Sequence, residues 1–404
     1  MNRRTKSTLA AFAAISLVVA ACGSDKSKSA VTTPAVTTAT TTATTAAATG
    51  AATTVPATTG ASETTASAGS DTTTASTAAG TGGTSGFNFD TNGDGKVVIG
   101  VATPGPRNDG GYYQALVTGV TGFSKSHGFA EPIIVDNIKP EEAATQLDSL
   151  SRQGVDMIAV GAGEIADPLK ELTAKYPKIV WYCNCGAGYP AQPNLIQSGD
   201  DGSEGGYDAG VATGLAMQAK GVTKAAMIGN NNLNFEIEAF KSFELGLQSV
   251  DPTFAFTYVG TGSFNDVAAA TEAFNNLKAQ GVGAIWPYLG GSHEAVVKLA
   301  NANNIIVMSA GASNACSRTD LKYDIAVRFD AGDYLNTILT EVLSGKLKRG
   351  DTRQFRVGVD KEVGSQICNP TADETAKLEA AGKLIASGAL KAQFDAIKKA
   401  AYQF

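Results

Sequence analysis

The sequence predicts an α/β protein built as two similar lobes of parallel sheet around a cleft. Three observations carry that prediction. First, the chain repeats itself: residues 153–181 align with 280–308 at an offset of 127 and without a gap. Gln153 falls on Gln280, Gly163 on Gly290, Leu172 on Leu299, and Ile179-Val180 on Ile306-Val307. Second, each copy is an apolar run, a glycine turn, an amphipathic segment and another apolar run. That is the pattern of a strand–helix–strand unit with parallel strands and a right-handed crossover. Third, strand and helix patterns alternate over some 250 residues, which points to α/β architecture. Ligands of open parallel sheets bind beyond the carboxyl ends of the strands. Two facing lobes would place two such edges around one cleft.

The elements follow in order. The folded body starts near Lys96, with a strand over 97–101, a loop over 103–111 and a helix over 112–126. A strand at 133–135 and a helix at 140–152 lead into the first repeat, followed by a short strand at 195–197 and a small-residue helix at 203–218. Ala225 to Ile228 opens the second lobe, with a helix over 236–247, a strand at 254–258 and a helix over 266–279 before the second repeat. A strand at 325–329 and a helix at 332–344 are expected to return to the first lobe. Another strand spans 353–357, and two terminal helices occupy 374–402. The expected domains are therefore 96–200 plus about 309–345 for the N-terminal lobe, and 201–308 plus about 346–404 for the C-terminal lobe.

A targeting segment and a tether precede this body. Residues 1–22 carry a basic start (Arg3, Arg4, Lys6) and an apolar core over 9–21, too short for a membrane span. The segment ends Val19-Ala20-Ala21-Cys22, followed by Gly23 and Ser24, which resembles the lipobox of bacterial lipoproteins. The resemblance implies cleavage before Cys22, diacylation of its sulfur, and anchoring to the outer face of the cytoplasmic membrane. Residues 23–86 are dominated by Thr, Ala, Ser and Gly, with Pro34 and Pro56. Without large apolar groups such a stretch cannot offset its ordering entropy. As a coil of about 64 residues it would reach roughly 45 Å root-mean-square.

Composition excludes several classes. The net charge is −6; without the three basic leader residues, 29 basic face 38 acidic residues. That balance does not suit nucleic acid, which wants a basic face. Two histidines in the whole chain argue against a His-based metal site or catalytic triad. Asp90-Thr91-Asn92-Gly93-Asp94-Gly95 looks like half a calcium loop, but ligand positions 9 and 12 would be Val98 and Val101, so it reads as a polar turn. Gly161-Ala162-Gly163 with Ala166 has dinucleotide spacing but lacks the acidic residue about 20 positions on, where Trp181-Tyr182-Cys183-Asn184 stands. Close backbone approach at a cleft rim is the better reading, and Gly290-Gly291-Ser292 has the same part in the other lobe. His293 is expected as a solvated first-turn residue. Cys183, Cys185, Cys316 and Cys368 remain after Cys22. Four cysteines allow three pairings; 183–185 and 316–368 are favoured, since the first two follow one strand and the others lie in late loops. A four-cysteine zinc site is the alternative, without a Cys-x-x-Cys pair to support it.

At Asn108-Asp109-Gly110-Gly111-Tyr112-Tyr113-Gln114 the chain resembles the basic membrane protein family, nucleoside-binding lipoproteins of ABC importers with the type I periplasmic-binding fold. Ala174-Lys175-Tyr176-Pro177, Glu204-Gly205-Gly206-Tyr207-Asp208-Ala209-Gly210, Gly262-Ser263-Phe264-Asn265-Asp266 and Gly290-Gly291 match in the same order, over Lys96 to about Ser344. The resemblance implies a purine stacked between an aromatic from each lobe, with acidic and amide groups on the ribose. Carried over by motif, the first-lobe group is Tyr112 or Tyr113 with Asp109 beside it, the second-lobe aromatic is Phe264, and a basic residue falls at Arg328. Gly163, Gly290 and Gly291 line the rim. The chain departs from the pattern in having Tyr112-Tyr113 for Phe-Asn, and Ser309-Ala310-Gly311 where an acidic residue is usual, so Ala310 replaces a ribose-gripping group.

From the residues alone, Asp109 also suits a helix N-cap. Adjacent Tyr112 and Tyr113 cannot both face one way on a helix, and Tyr112 is the expected ligand-facing ring. Phe264, between Ser263 and Asn265, reads as a loop platform for a ring. The expectation is a monomeric, lipid-anchored solute-binding protein of an ABC importer, holding a small polar ring-bearing, nucleoside-like solute, with no cofactor, metal or nucleic acid. A sensory receptor for a sugar or other solute is the alternative. An exported enzyme is disfavoured, since neither a Gly-x-Ser-x-Gly elbow nor a His-Glu-x-x-His helix is present.

Overall fold

The computed structural model describes residues 87–186 and 189–403. The leader, Cys22 and the tether lie outside the described residues. The first lobe begins with a polar turn. Asp90 accepts backbone N–H bonds from Gly93 and Gly95, and Asp156, wholly buried, accepts from Thr91, Asn92 and Val98. The half calcium-loop motif is thus closed on itself and pinned to the strand that follows residue 156.

Strands β1 (Ile99–Ala102), β2 (Ile133–Val135), β3 (Met157–Val160), β4 (Val180–Cys183) and β5 (Leu195–Asp200) pair in parallel. β1, β3 and β4 are buried at every residue, because helices cover both faces and leave no polar side. These are α1 (Tyr112–His127), α2 (Ala143–Ser151) and α3 (Leu169–Lys175). α1 buries Tyr113, Leu116, Val120 and Phe123, one stripe at helical spacing, and stops at Gly128 in the left-handed region.

Asp201 caps α4 (Gly202–Lys220), accepting from the N–H groups of Ser203 and Glu204. This helix is buried nearly all round because α5 (Asn234–Val250) crosses it at backbone contact. A Cβ on Gly210 would lie 2.1 Å from the Phe243 carbonyl oxygen, and one on Gly246 2.0 Å from that of Tyr207. The second sheet follows: β6 (Lys224–Gly229), β7 (Ala255–Gly260), β8 (Ala284–Pro287) and β9 (Ile306–Val307), all parallel in the order β7-β6-β8-β9. α6 (Val267–Ala279) and α7 (His293–Ala302) connect them. The two sequence repeats are thus β3–α3–β4 and β8–α7–β9, one in each sheet.

The last quarter departs from the expected lobes in three places. β10 (Ile325–Phe329) does not return to the first sheet: it meets the end of β9 through a parallel bridge between Met308 and Ile325. Its other edge pairs antiparallel with β12 (Val363–Ile367), a strand the sequence pattern did not reveal. Only the helix α8 (Ala331–Leu343) crosses back, packing on α1 where a Gly119 Cβ would lie 2.6 Å from the Gly332 Cα. β11 (Thr352–Phe355), expected in the second lobe, joins the first sheet beside β5. The first sheet thus has the order β11-β5-β4-β3-β1-β2. α9 (Ala372–Ala386) and α10 (Lys391–Tyr402) then cover α4 and α5. The chain therefore changes lobe at Asp200–Asp201, at Phe329–Ala331 and between Phe355 and Val363. Both favoured disulfides form: Cys183–Cys185 and Cys316–Cys368, with Cα separations of 5.1 and 4.9 Å.

Candidate functional site

The carboxyl ends of the strands of both sheets meet where the chain changes lobe, and aromatic rings collect there. Tyr112 at the start of α1 stands 6.4 Å from Phe329 at the end of β10, centroid to centroid. Phe329 stands 5.6 Å from Tyr288, just after β8. Tyr288 lies 6.2 Å from Phe235, which stacks at 6.3 Å on Phe264. Tyr112, Phe329, Tyr288 and Phe264 each keep part of their surface accessible, while burial drives the phenols of Tyr112 and Tyr288 well above their ordinary range. These four rings are thus partly accessible, and the two phenols among them are closely surrounded. The run joins the first-lobe aromatic to the second-lobe one through three intermediate rings, Phe329, Tyr288 and Phe235.

Two carboxylates stand at its first-lobe end. Asp200, the last residue of β5, accepts a hydrogen bond from the Tyr334 hydroxyl at 3.1 Å. Burial pushes its carboxyl up to about 6; the Tyr334 bond opposes this, and the nearby charges of Asp201 and Glu238 add to it. Glu164, in the turn after β3, takes a long bond of 3.4 Å from the Tyr113 hydroxyl and is also raised by burial. Neither is in a salt bridge among the described residues. Beneath them Tyr182 and Asn184 both meet the Ser198 hydroxyl, at 2.6 and 3.0 Å. The arrangement can stack a ring and accept hydrogen bonds from hydroxyl or amino groups.

The expected site residues divide. Tyr112 and Phe264 lie at the two ends of the ring run. Tyr113 is buried, edge-on to Tyr112 at 5.6 Å, with its hydroxyl on Glu164. Asp109 is 4 % exposed and its carboxylate accepts the N–H groups of Gly111, Tyr113 and Gln114, so it ties down the first turn of α1 from two residues before the N-cap position, Gly111. Gly163 approaches the Cys185 carbonyl, from which a Cβ would be 2.5 Å away. Gly290 and Gly291 fit under Asn265, which accepts the Gly291 N–H at 2.7 Å, and the Phe264 carbonyl accepts from Gly290. A Cβ on Gly291 would come within 3.6 Å of Pro106 of the first lobe, so this turn is where the lobes approach. Ala310 is buried, and its carbonyl lies 3.2 Å from where a Gly111 Cβ would be.

Two expectations are corrected. Arg328 does not join the rings: neighbouring strand residues face opposite ways, and with Phe329 turned into the cleft, Arg328 faces Asp208 behind it. His293 is not solvated but 1 % exposed, its Nδ1 at 2.7 Å from the Pro287 carbonyl and its Nε2 at 3.2 Å from the Tyr323 hydroxyl; burial lowers it to about 4, so it is neutral. The tight turn closed by the His293 N–H on the Gly290 carbonyl brings the ring back to the Pro287 carbonyl, which a first-turn position does not reveal. Glu164, Asp200, Phe235, Tyr288 and Phe329 were not picked out from the sequence. Glu164, Asp200, Tyr288 and Phe329 sit at or just past strand carboxyl ends, the place where the sheet rule puts ligands.

Comparison with solved structures gives the fold. A solute-binding protein of an ABC transporter system from Conexibacter woesei DSM 14684 superposes with a TM-score of 0.58 at 19 % identity, over 73 % of this chain and 97 % of that one. One from Aeropyrum pernix K1 gives 0.57 at 16 %, over 75 % and 90 %. A transcriptional activator of the comK gene from Bacillus halodurans gives 0.58 at 17 %, over 72 % and 98 %. These likenesses establish the type I periplasmic-binding architecture. Comparison with curated protein sequences finds no significant match. The sequence pattern of the Bmp family, described as ABC transporter substrate-binding protein PnrA-like, matches residues 96–366, two thirds of the chain. The chain therefore belongs to the Bmp family of PnrA-like substrate-binding proteins of ABC transporters.

Proposed function

We propose that this substrate-binding protein captures a small polar, ring-bearing solute of nucleoside type between its lobes and presents it to the permease from a lipid anchor at Cys22. A small-molecule solute and permease subunits are its partners by family, the family is exported, and its task is binding rather than catalysis. The observation that carries the finer reading is the ring run from Tyr112 to Phe264 with Asp200 and Glu164 at one end. A base stacks on aromatic faces, and carboxylates grip the hydroxyl or amino groups beside it. Asp200 and Glu164 take the part of the acidic group replaced at Ala310. The lipobox resemblance at Cys22 supports anchoring, the composition of residues 23–86 supports a tether, and the chain is read as a monomer.

A thermal-shift panel of nucleosides, bases, sugars and amino acids tests this. A ligand at 100 times its dissociation constant adds about 2.7 kcal/mol to stability. Nucleosides are expected to raise the melting temperature; a response to free sugars or amino acids with none to nucleosides would overturn the reading.

A further inference from the structure

Behind Arg328, on the side of β10 away from the aromatic run, β12 and α9 border a second, open cavity of about 400 Å³. Its floor is Arg328, Asp208 and Ser365. The Arg328 Nε is sealed from solvent and donates to nothing, and among the described residues Arg328 enters no salt bridge. The hydroxyl of Ser365, a residue 8 % exposed, makes no well-formed hydrogen bond, although it stands close enough to Asp208 to hold that carboxyl down. Asp208, 3 % exposed, accepts the Ser365 N–H at 2.6 Å. Burial pushes the Asp208 carboxyl up to about 7, so near neutrality much of it is protonated and it cannot fully balance the guanidinium. Buried donors left without acceptors are costly and rare in native proteins.

The floor is kept clear by Gly364. Its φ is +112°, and a Cβ there would lie 3.2 Å from Asp208 Oδ2 and 3.9 Å from Arg328 Nη2, inside the cradle. Above the floor Val357, Val363 and Leu378 form an apolar strip, with Gln366 and Thr375 beside it. At the mouth Glu379 and Lys383 are exposed and offset one another in charge, while Asp360 is engaged by Arg353 at 2.5 Å. A site with unmet donors at the bottom and hydrocarbon along the sides suits an amphipathic anion, held head down. The planar fork of Arg matches a carboxylate in particular.

We propose that this cavity is a second ligand site, for a small organic monocarboxylate whose carboxylate is taken by Arg328 and Ser365 and whose hydrocarbon lies along Val357, Val363 and Leu378. It is independent of the interlobe cleft, since it opens on the opposite face of β10.

The test is calorimetric titration of the purified full-length protein with sodium butyrate and sodium benzoate, and with phosphate and chloride as inorganic anions. Arg328→Leu removes the floor donor, and Leu378→Trp fills the half-buried wall without touching a polar group. Saturable binding of butyrate or benzoate is expected in the wild type, weakened more than about tenfold in each variant. Phosphate and chloride are expected to bind at least about tenfold more weakly than either carboxylate. No carboxylate heat up to about 10 mM, affinity unchanged in Leu378→Trp, or phosphate or chloride binding as well as the carboxylates would each overturn the proposal. Should Arg328→Leu not fold, Leu378→Trp decides alone. The nucleoside panel, run on Leu378→Trp, is expected to match the wild type, so failure here and failure of the interlobe reading are told apart.

Discussion

In the proposed site, Asp200 is the residue whose charge state decides what the solute can donate to. Its carboxyl is pushed from 3.8 up to about 6, chiefly by burial. Below that value in the folded protein it holds a proton; above it the carboxylate is free to accept. A solute that donates to Asp200 should therefore bind weakly near pH 5 and gain affinity as pH rises through about 6. The stability consequence has the opposite sign. A carboxyl that holds its proton more tightly when folded costs stability as pH rises from the unfolded value toward the folded one. Titrating ligand at pH 5 and pH 7.5 checks the first point: Asp200→Asn should abolish the step, and an identical step in that variant would assign it elsewhere. Phe264→Ala should weaken a ring-bearing ligand by roughly 1–3 kcal/mol, by analogy with base–aromatic stacking. Unchanged affinity in a direct binding titration would remove Phe264 from the site. At this scale the sequence was legible only where a motif marked the position. Tyr112 and Phe264 lay inside motifs. Asp200 and Tyr288 did not, and they become visible only when the sheets bring strand ends together. Arg328 and His293 were misplaced because the face of a strand end and the direction of a turn depend on neighbours distant in sequence.

Among the elements, the loops that carry the site are tied to the scaffold by few and specific links. The Cys316–Cys368 disulfide joins the segment after β9 to the end of β12, across 52 residues. Closing so long a loop removes much entropy from the unfolded chain, about 4 kcal/mol in the chain-entropy account, with about 2–4 typical. Replacing both cysteines by serine should lower the unfolding free energy by that amount in denaturant titration. Cys183–Cys185 closes a loop of two peptide steps and should matter far less; equal losses from the two replacements would contradict the account. The α4–α5 contact explains Gly206 and Gly210, where the helix backbones touch and no side chain fits; Gly205 faces open space. Most helices and parallel strands were readable in the sequence, because buried parallel strands are continuous apolar runs and their helices have one apolar stripe. β12 was not, since Val363-Gly364-Ser365-Gln366-Ile367 has glycine, serine and glutamine inside it and too few apolar residues to announce a strand. β10 and β11 were recognised as strands but assigned to the wrong sheets, because strand pairing at this range is written in no local pattern.

The whole folded body is a duplicated α/β unit whose two parallel sheets are linked by three chain crossings. The repeat at an offset of 127 predicted this, and each copy does lie in its own sheet. The lobes come together at Gly291 and Pro106 and at Gly111 and Ala310, where small residues allow close approach. Rings from both lobes then form one run, so a solute bound there would be held by both at once, and its binding energy would favour lobe closure. The most direct measurement is calorimetric titration of the ligand found in the nucleoside panel into the wild type and Tyr288→Ala, the ring at the centre of that run. The account predicts saturable binding of a ring-bearing solute by the wild type and a loss of about tenfold or more in the variant. Equal affinity in both proteins would contradict it.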